Sequence, residues 1–103
     1  MNQPTPPTTA VTNLPHICIV DDNQMAREVI ADLLSTEGYE VSLASSGPEI
    51  IERIGDIQPD VILMDVMMPG MSGYDVCRLL KQEKRWQHIP IILVTALNGR
   101  EDM

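Results

Sequence analysis

The sequence predicts an α/β protein built on a doubly wound parallel sheet, with helices on both faces. Three observations carry that expectation. Apolar runs of five or six residues, the length of a strand, alternate with segments whose apolar residues recur at helical spacing. Glycine, proline and Ser-x-x-acid signals punctuate the junctions between them. Strand, helix, strand, helix, strand, helix, strand in that order implies right-handed crossovers between parallel strands.

Each element has its own signature. His16-Ile-Cys-Ile-Val-Asp21 is a β-branched run closing on acids and reads as a buried strand. Ala26, Val29, Ile30, Leu33 and Leu34 then recur at helical spacing, with Arg27, Glu28 and Asp32 on the other side and Gly38 as the stop. Asp21 and Asp22 stand where this helix needs a cap. Glu40 to Ala44 is the second strand. Ser46 and Glu49 form an S-x-x-E box ahead of Ile50, Ile51, Ile54 and Ile57, and Pro59 closes that helix.

Asp60 to Asp65 is the third strand, apolar throughout its centre and therefore expected to be covered on both faces. Pro69-Gly70 makes a turn, with Gly73 expected to serve the backbone there too. Ser72 and Asp75 box a helix through Val76, Leu79 and Leu80. Its basic end, Lys81, Lys84 and Arg85, suits the helix dipole and reads as solvated. Ile89 to Thr95 is the fourth strand, and Asn98 to Glu101 look like the start of one more helix.

Composition narrows the function classes. A length of 103 residues sets one domain as the expectation. The formal charge of −8 leaves no surplus of cations for phosphates, which argues against a nucleic-acid binder or an anionic membrane surface. An apolar share of 44% opposes wholesale disorder, and no apolar run approaches the length of a membrane span. Cys18 and Cys77 are too few and too far apart for a disulfide scaffold or a zinc site, and read as reduced thiols of a cytoplasmic protein. Residues 1–15 hold four of the eight prolines and no charge, so a flexible Pro/Thr-rich leader is expected, with the domain over 16–103.

In doubly wound sheets the functional crevice lies outside the carboxyl ends of the strands. There the first strand ends in Asp21-Asp22, the third in Asp65 and the fourth in Thr95-Ala96. Clustered carboxylates repel one another, and a hard divalent cation relieves that cost. Mg²⁺ suits the set better than Ca²⁺ or Zn²⁺, because it takes oxygen ligands and keeps several waters. A carboxylate beside Mg²⁺ is able to attack a phosphoryl group, giving an aspartyl phosphate. No Gly-rich phosphate loop follows the first strand, which disfavours a nucleotide site.

The segments I-C-I-V-D21-D22, V-I-L-M-D65-V-M-M-P69-G70-M-S-G73 and I-I-L-V-T95-A96 together make the sequence resemble the receiver domain of bacterial two-component response regulators. The acid pair, the central acid and the threonine are 43 and 30 residues apart, as that family requires. The resemblance implies a flavodoxin-like strand order 2-1-3-4, with the family's fifth strand and fifth helix absent. It implies that Asp65 accepts a phosphoryl group from a sensor histidine kinase or a histidine phosphotransfer protein. Asp22 would bind Mg²⁺ directly, Asp21 largely through water, and the Met67 carbonyl would complete the set. Thr95 would bond a phosphoryl oxygen and Ala96 would stay small for access. The family's lysine and aromatic switch residue, which lie after and within the fifth strand, have no counterpart, since no lysine follows Lys84 and no aromatic follows Trp86. The chain therefore reads as an incomplete receiver domain that could dimerise through its fourth-strand edge.

Blander readings exist for each feature. Strand-end acids are often solvated loop residues, and Thr95 could be an ordinary β-former. Met64, Met67, Met68 and Met71 could make a flexible binding surface, but Met64 is expected in the core and the other three along the loop beside the site. Two rival functions remain: a phosphorylation-independent interaction module on the same fold, and an aspartyl-nucleophile phosphatase of the haloacid dehalogenase type. The second wants an acid two residues after the nucleophile, where Met67 stands. The expected protein is a signalling switch acting on its own Asp65, not a conventional enzyme.

Overall fold

A computed structural model describes residues 14–95. The elements are β1 (His16–Val20), α1 (Gln24–Thr36), β2 (Glu40–Ala44), α2 (Gly47–Ile57), β3 (Val61–Asp65), α3 (Gly73–Gln82) and β4 (Ile91–Val94). The strands form one parallel four-stranded sheet in the order β2-β1-β3-β4, as the sequence predicts. The leader over residues 1–13, Ala96 and the expected final helix lie outside the described residues. Hydrogen bonding into the sheet begins one residue before β1, where the Pro15 carbonyl accepts from the Glu40 N–H at 2.9 Å.

Side chains alternate across the sheet. Cys18 and Val20 of β1 and Ile62 and Met64 of β3 meet Ile50, Ile54 and Ile57 of α2 and Val76 and Leu80 of α3 in one core. Fully burying one such side chain contributes about 1.5–3 kcal/mol. The Cys18 thiol is pushed up to about 11, first by burial. The opposite face carries Ile17 and Ile19, and α1 lies there over β1 and β2.

That second face corrects two expectations. β3 is not sealed on both sides: Ile62 and Met64 are buried, but Val61 and Leu63 are only half-buried. The reason is placement, since α1 packs on β1 and β2 and leaves the β3–β4 half of the face open. For the same reason the apolar stripe of α1 is only partly used. Val29 is 52% exposed and Leu33 63%, and no residue of α1 is fully buried.

The helix ends follow local chemistry. Asn23, rather than the acid pair, caps α1, its Oδ1 accepting from Ala26 N–H at 2.9 Å. Asp21 instead takes the Asn23 N–H on its carboxylate. Gly38, at φ +94°, follows the end of α1 in the left-handed conformation that favours glycine. Ser46 caps α2, but the box is incomplete: the Glu49 carboxylate turns to Ser45 N–H and Oγ, both at 2.8 Å, and to Arg53 at 2.7 Å. On α3 the box closes in both directions between Ser72 and Asp75. Lys81 is no idle solvated end; its Nζ donates to the carbonyls of Gln87 at 3.0 Å and Ile89 at 2.8 Å, pinning the turn that leads into β4. Lys84 and Arg85 lie beyond the helix, with Arg85 stacked over Trp86. β4 is shorter than expected: Ile89 is buried ahead of it and Thr95 falls just past it.

Candidate functional site

The register of β1 against β3 pairs Val20 with Met64, so Asp21 and Asp65 emerge level at the carboxyl ends of adjacent strands. Asp21, Asp22 and Asp65 each bring a carboxylate oxygen within 4.8 Å of the others. Residues 43 positions apart in sequence thus share one rim. The Asp21 N–H donates to the Ala44 carbonyl at 3.1 Å, and the Val66 N–H to the Val94 carbonyl at 3.2 Å, which ties this rim to the flanking strands.

Electrostatics make the cluster costly as it stands. The Asp65 carboxyl is held above the usual aspartate range, first by burial and then by the charges of Asp21 and Asp22; the Met67 N–H, donating to Oδ1 at 3.2 Å, works the other way. Among the described residues the ion pairs join Arg53 to Glu49, Arg78 to Asp75 and Arg85 to Glu83, and none reaches the three acids. Hard oxygen donors converging without a cationic side chain are a donor set that fits Mg²⁺.

Thr95 is exposed and lies one residue past β4, where Val94 pairs with Asp65, so the threonine sits on the acid's rim. Met67 is 69% exposed in the loop leaving β3, and its N–H contact to Asp65 places its peptide beside the cluster. Ala96 is outside the described residues.

Sequence reasoning missed Arg27. Expected on the solvent side of α1, it is half-buried, and its Nη1 donates to the Asp21 carbonyl at 2.7 Å, clamping the β1–α1 loop. The available signal was its spacing, about one and a half helical turns after the acid pair, which returns it toward the loop. Gly70, at φ +83°, makes the expected turn; Gly73 has no positive φ and instead opens α3, its N–H donating to the Val66 carbonyl at 3.0 Å.

A four-stranded 2-1-3-4 parallel sheet with an acid cluster where β1 and β3 end defines a flavodoxin-like α/β class, and comparison with known proteins agrees. The model of the response regulator receiver domain matches residues 17–103, and the chain belongs to that family. It is similar to the response regulator PleD of Caulobacter vibrioides, 46% identical over 86 residues, which are 84% of this chain and 19% of that protein. The polar-differentiation response regulator DivK of Brucella ovis is 37% identical over 86 residues, covering 84% of this chain and 70% of DivK. The N-terminal domain of a response regulator receiver protein from Methanoculleus marisnigri superposes with a TM-score of 0.79 at 33% identity, covering 82% of this chain and 68% of that one. A response regulator structure from Chloroflexus aurantiacus gives the same score and identity, with coverages of 84% and 71%. The chain thus spans about a fifth of PleD and over two thirds of DivK. Membership implies a part in two-component signalling.

Proposed function

We propose that this chain is a phosphorylation-dependent switch whose acceptor is Asp65. The observation that carries the reading is the convergence of three carboxylates, from two adjacent strand ends, within 4.8 Å. An Asp65 oxygen attacks the phosphorus of a phosphohistidine on a histidine kinase or histidine phosphotransfer protein. The phosphorus–nitrogen bond breaks, the imidazole leaves with a proton from solvent, and an acyl phosphate remains. Asp22 would bind Mg²⁺ directly and Asp21 largely through water, with Asp65 and the Met67 carbonyl completing the protein ligands. When bound, the metal neutralises charge between carboxylate and phosphoryl oxygens. Thr95 meets a phosphoryl oxygen. The chain acts on its own Asp65 and turns over no separate substrate.

Cys18 and Cys77, both free thiols, support a cytoplasmic setting, and no helix among the described residues is long and apolar enough to cross a membrane. The half-exposed Ile92 on β4, which pairs only with β3 among the described residues, supports self-association through that edge.

Incubation with Mg²⁺ and acetyl phosphate or phosphoramidate, followed by intact mass, tests the assignment. The chain gains one phosphoryl mass, and Asp65→Asn abolishes the gain because an amide forms no acyl phosphate. An unchanged gain in the variant refutes Asp65. Turnover of unrelated monoesters would instead mark a phosphatase, and silence with intact fold an interaction module. Asp22→Asn weakens Mg²⁺ binding more than Asp21→Asn, and equal affinities in calorimetry would overturn that ranking.

A further inference from the structure

The first residue of α3 lies closer to the acid cluster than any turn requires. A Cβ built on Gly73 would fall on the Asp65 carbonyl oxygen, well inside van der Waals contact, and would stand 2.9 Å from Met64 Cγ and 3.0 Å from Val66 Cα. Two of those three atoms are backbone, so no rotamer change makes room; the end of β3 itself must move. The opposing surface is equally fixed. Gly73 is buried, its N–H is bonded to the Val66 carbonyl at 3.0 Å, and the reciprocal Ser72–Asp75 box seats the first turn of α3.

We infer that Gly73 is a positioning residue for the acceptor: the bare backbone of α3 is the stop against which the Asp65–Met67 segment rests. This rests on the reading of Asp65 as the phosphoryl acceptor with Mg²⁺ beside it. The side chain of Asp65 and the carbonyl of Met67 both hang from the segment that a Cβ would displace. Constellations of this kind tolerate about 0.5 Å of misplacement, and 1 Å costs on the order of 10²-fold in rate.

Gly47 supplies the control. A Cβ there would meet Val76 Cγ2 at 2.6 Å and Met71 Sδ at 3.0 Å, an equally tight fit, but against core side chains rather than the backbone that carries the acceptor. The experiment compares Gly73→Ala and Gly47→Ala with the parent chain. It measures the folded fraction, the Mg²⁺ dissociation constant by calorimetry with the metal alone, and the rate of adduct formation at saturating Mg²⁺ and acetyl phosphate. Per folded molecule, Gly73→Ala lowers the saturated rate about 10–100-fold and weakens Mg²⁺ about tenfold, while Gly47→Ala changes neither. Parent-like values in Gly73→Ala, or an equal loss in Gly47→Ala, overturn the inference.

If Gly73→Ala does not fold, Ser72→Ala decides. It removes the cap that seats the first turn without adding an atom, and a several-fold loss of saturated rate in folded protein supports the stop, whereas an unchanged rate overturns it. A parent chain that forms no adduct refutes Asp65 as acceptor, not the stop, since the Mg²⁺ affinities still separate the two glycine variants.

Discussion

On the face covered by α2 and α3, Cys18, Val20, Ile62 and Met64 are shut off from solvent, while on the face served by α1 alone Ile92 keeps half of its surface in water. Both faces are apolar in sequence, so composition does not explain the difference. Helix number and placement do. Two helices cover one side, α2 over β1 and β2 and α3 beside β4; a single helix sits over β1 and β2 on the other, with Met25, Val29 and Leu33 turned away from its core. The lesson is that folding stability in this chain is concentrated on one face. The acid cluster lies at the carboxyl rim between β1 and β3, positioned by strands that the well-covered face holds in place.

The sharpest way to break this comparison is to delete equivalent apolar groups on each side. Ile54→Ala, in the buried core, costs about 2–5 kcal/mol in urea unfolding. Leu33→Ala, on the open side of α1, costs no more than about 0.5 kcal/mol. Equal losses would mean that α1 is covered in solution, and a dependence of the Leu33→Ala loss on protein concentration would identify a second copy as the cover.

Caps give the next largest effect. Ser46→Ala on α2 and Asn23→Ala on α1 each remove one helix cap worth about 1 kcal/mol. Only the second also loosens the loop bearing Asp21 and Asp22, so only it weakens Mg²⁺ in calorimetry. Ile92→Lys is smaller still in stability, within about 0.5 kcal/mol, because the side chain already faces water. Any sedimentation signal of self-association through the β4 edge should fall in that variant.

The pH dependence separates the helix-cap carboxylate Glu49 from the cluster carboxylate Asp65 by sign. Glu49 titrates below its usual range, first through the Ser45 N–H, so its stabilising effect is complete above the ordinary glutamate value and is lost as pH falls through the lowered one. Asp65 titrates above its usual range, so without metal its ionisation destabilises the fold as pH rises through the raised value. Glu49→Gln therefore flattens the acid limb of the stability curve. Asp65→Asn stabilises metal-free protein near neutral pH by up to about 1 kcal/mol, the scale of one screened charge contact. Smallest of all is the response of Trp86, which packs beside Gly55 on the rim opposite the acids. Mg²⁺ leaves its emission nearly unchanged, and a saturable quench with the fold intact would contradict the topology.

Much of this was legible from residues alone, for identifiable reasons. Period-2 and period-3.6 apolar patterns place every described strand and helix, because burial enforces them, although the basic run to Arg85 overshoots the end of α3 at Gln82. The acid cluster was legible because a parallel sheet brings all strand ends to one rim. What sequence does not encode locally is which faces are covered. Val29 and Leu33 satisfy the helical period as well as Ile30 does, yet only the arrangement of α1 on β1 and β2 decides which of them is buried. Side-chain bonds to distant carbonyls, such as Arg27 to Asp21 and Lys81 to Ile89, were hidden likewise, since long basic side chains look solvated until a loop returns beneath them.

The burial of Cys18 gives this chain a built-in clock. The thiol projects from the middle of β1 into the core beneath α2 and α3, so reagent reaches it only when that core opens. Its raised pKa keeps it protonated and slow to react even during brief excursions at neutral pH. Cys77, half-buried on α3, needs only local fraying. In excess alkylating reagent the two thiols therefore label in separate phases, the first read from Cys77 and the second timing the opening of the core between the sheet and its two helices. Mg²⁺ titrated into that assay should lengthen the second phase alone, reporting metal occupancy at the rim through a residue that never touches the ion.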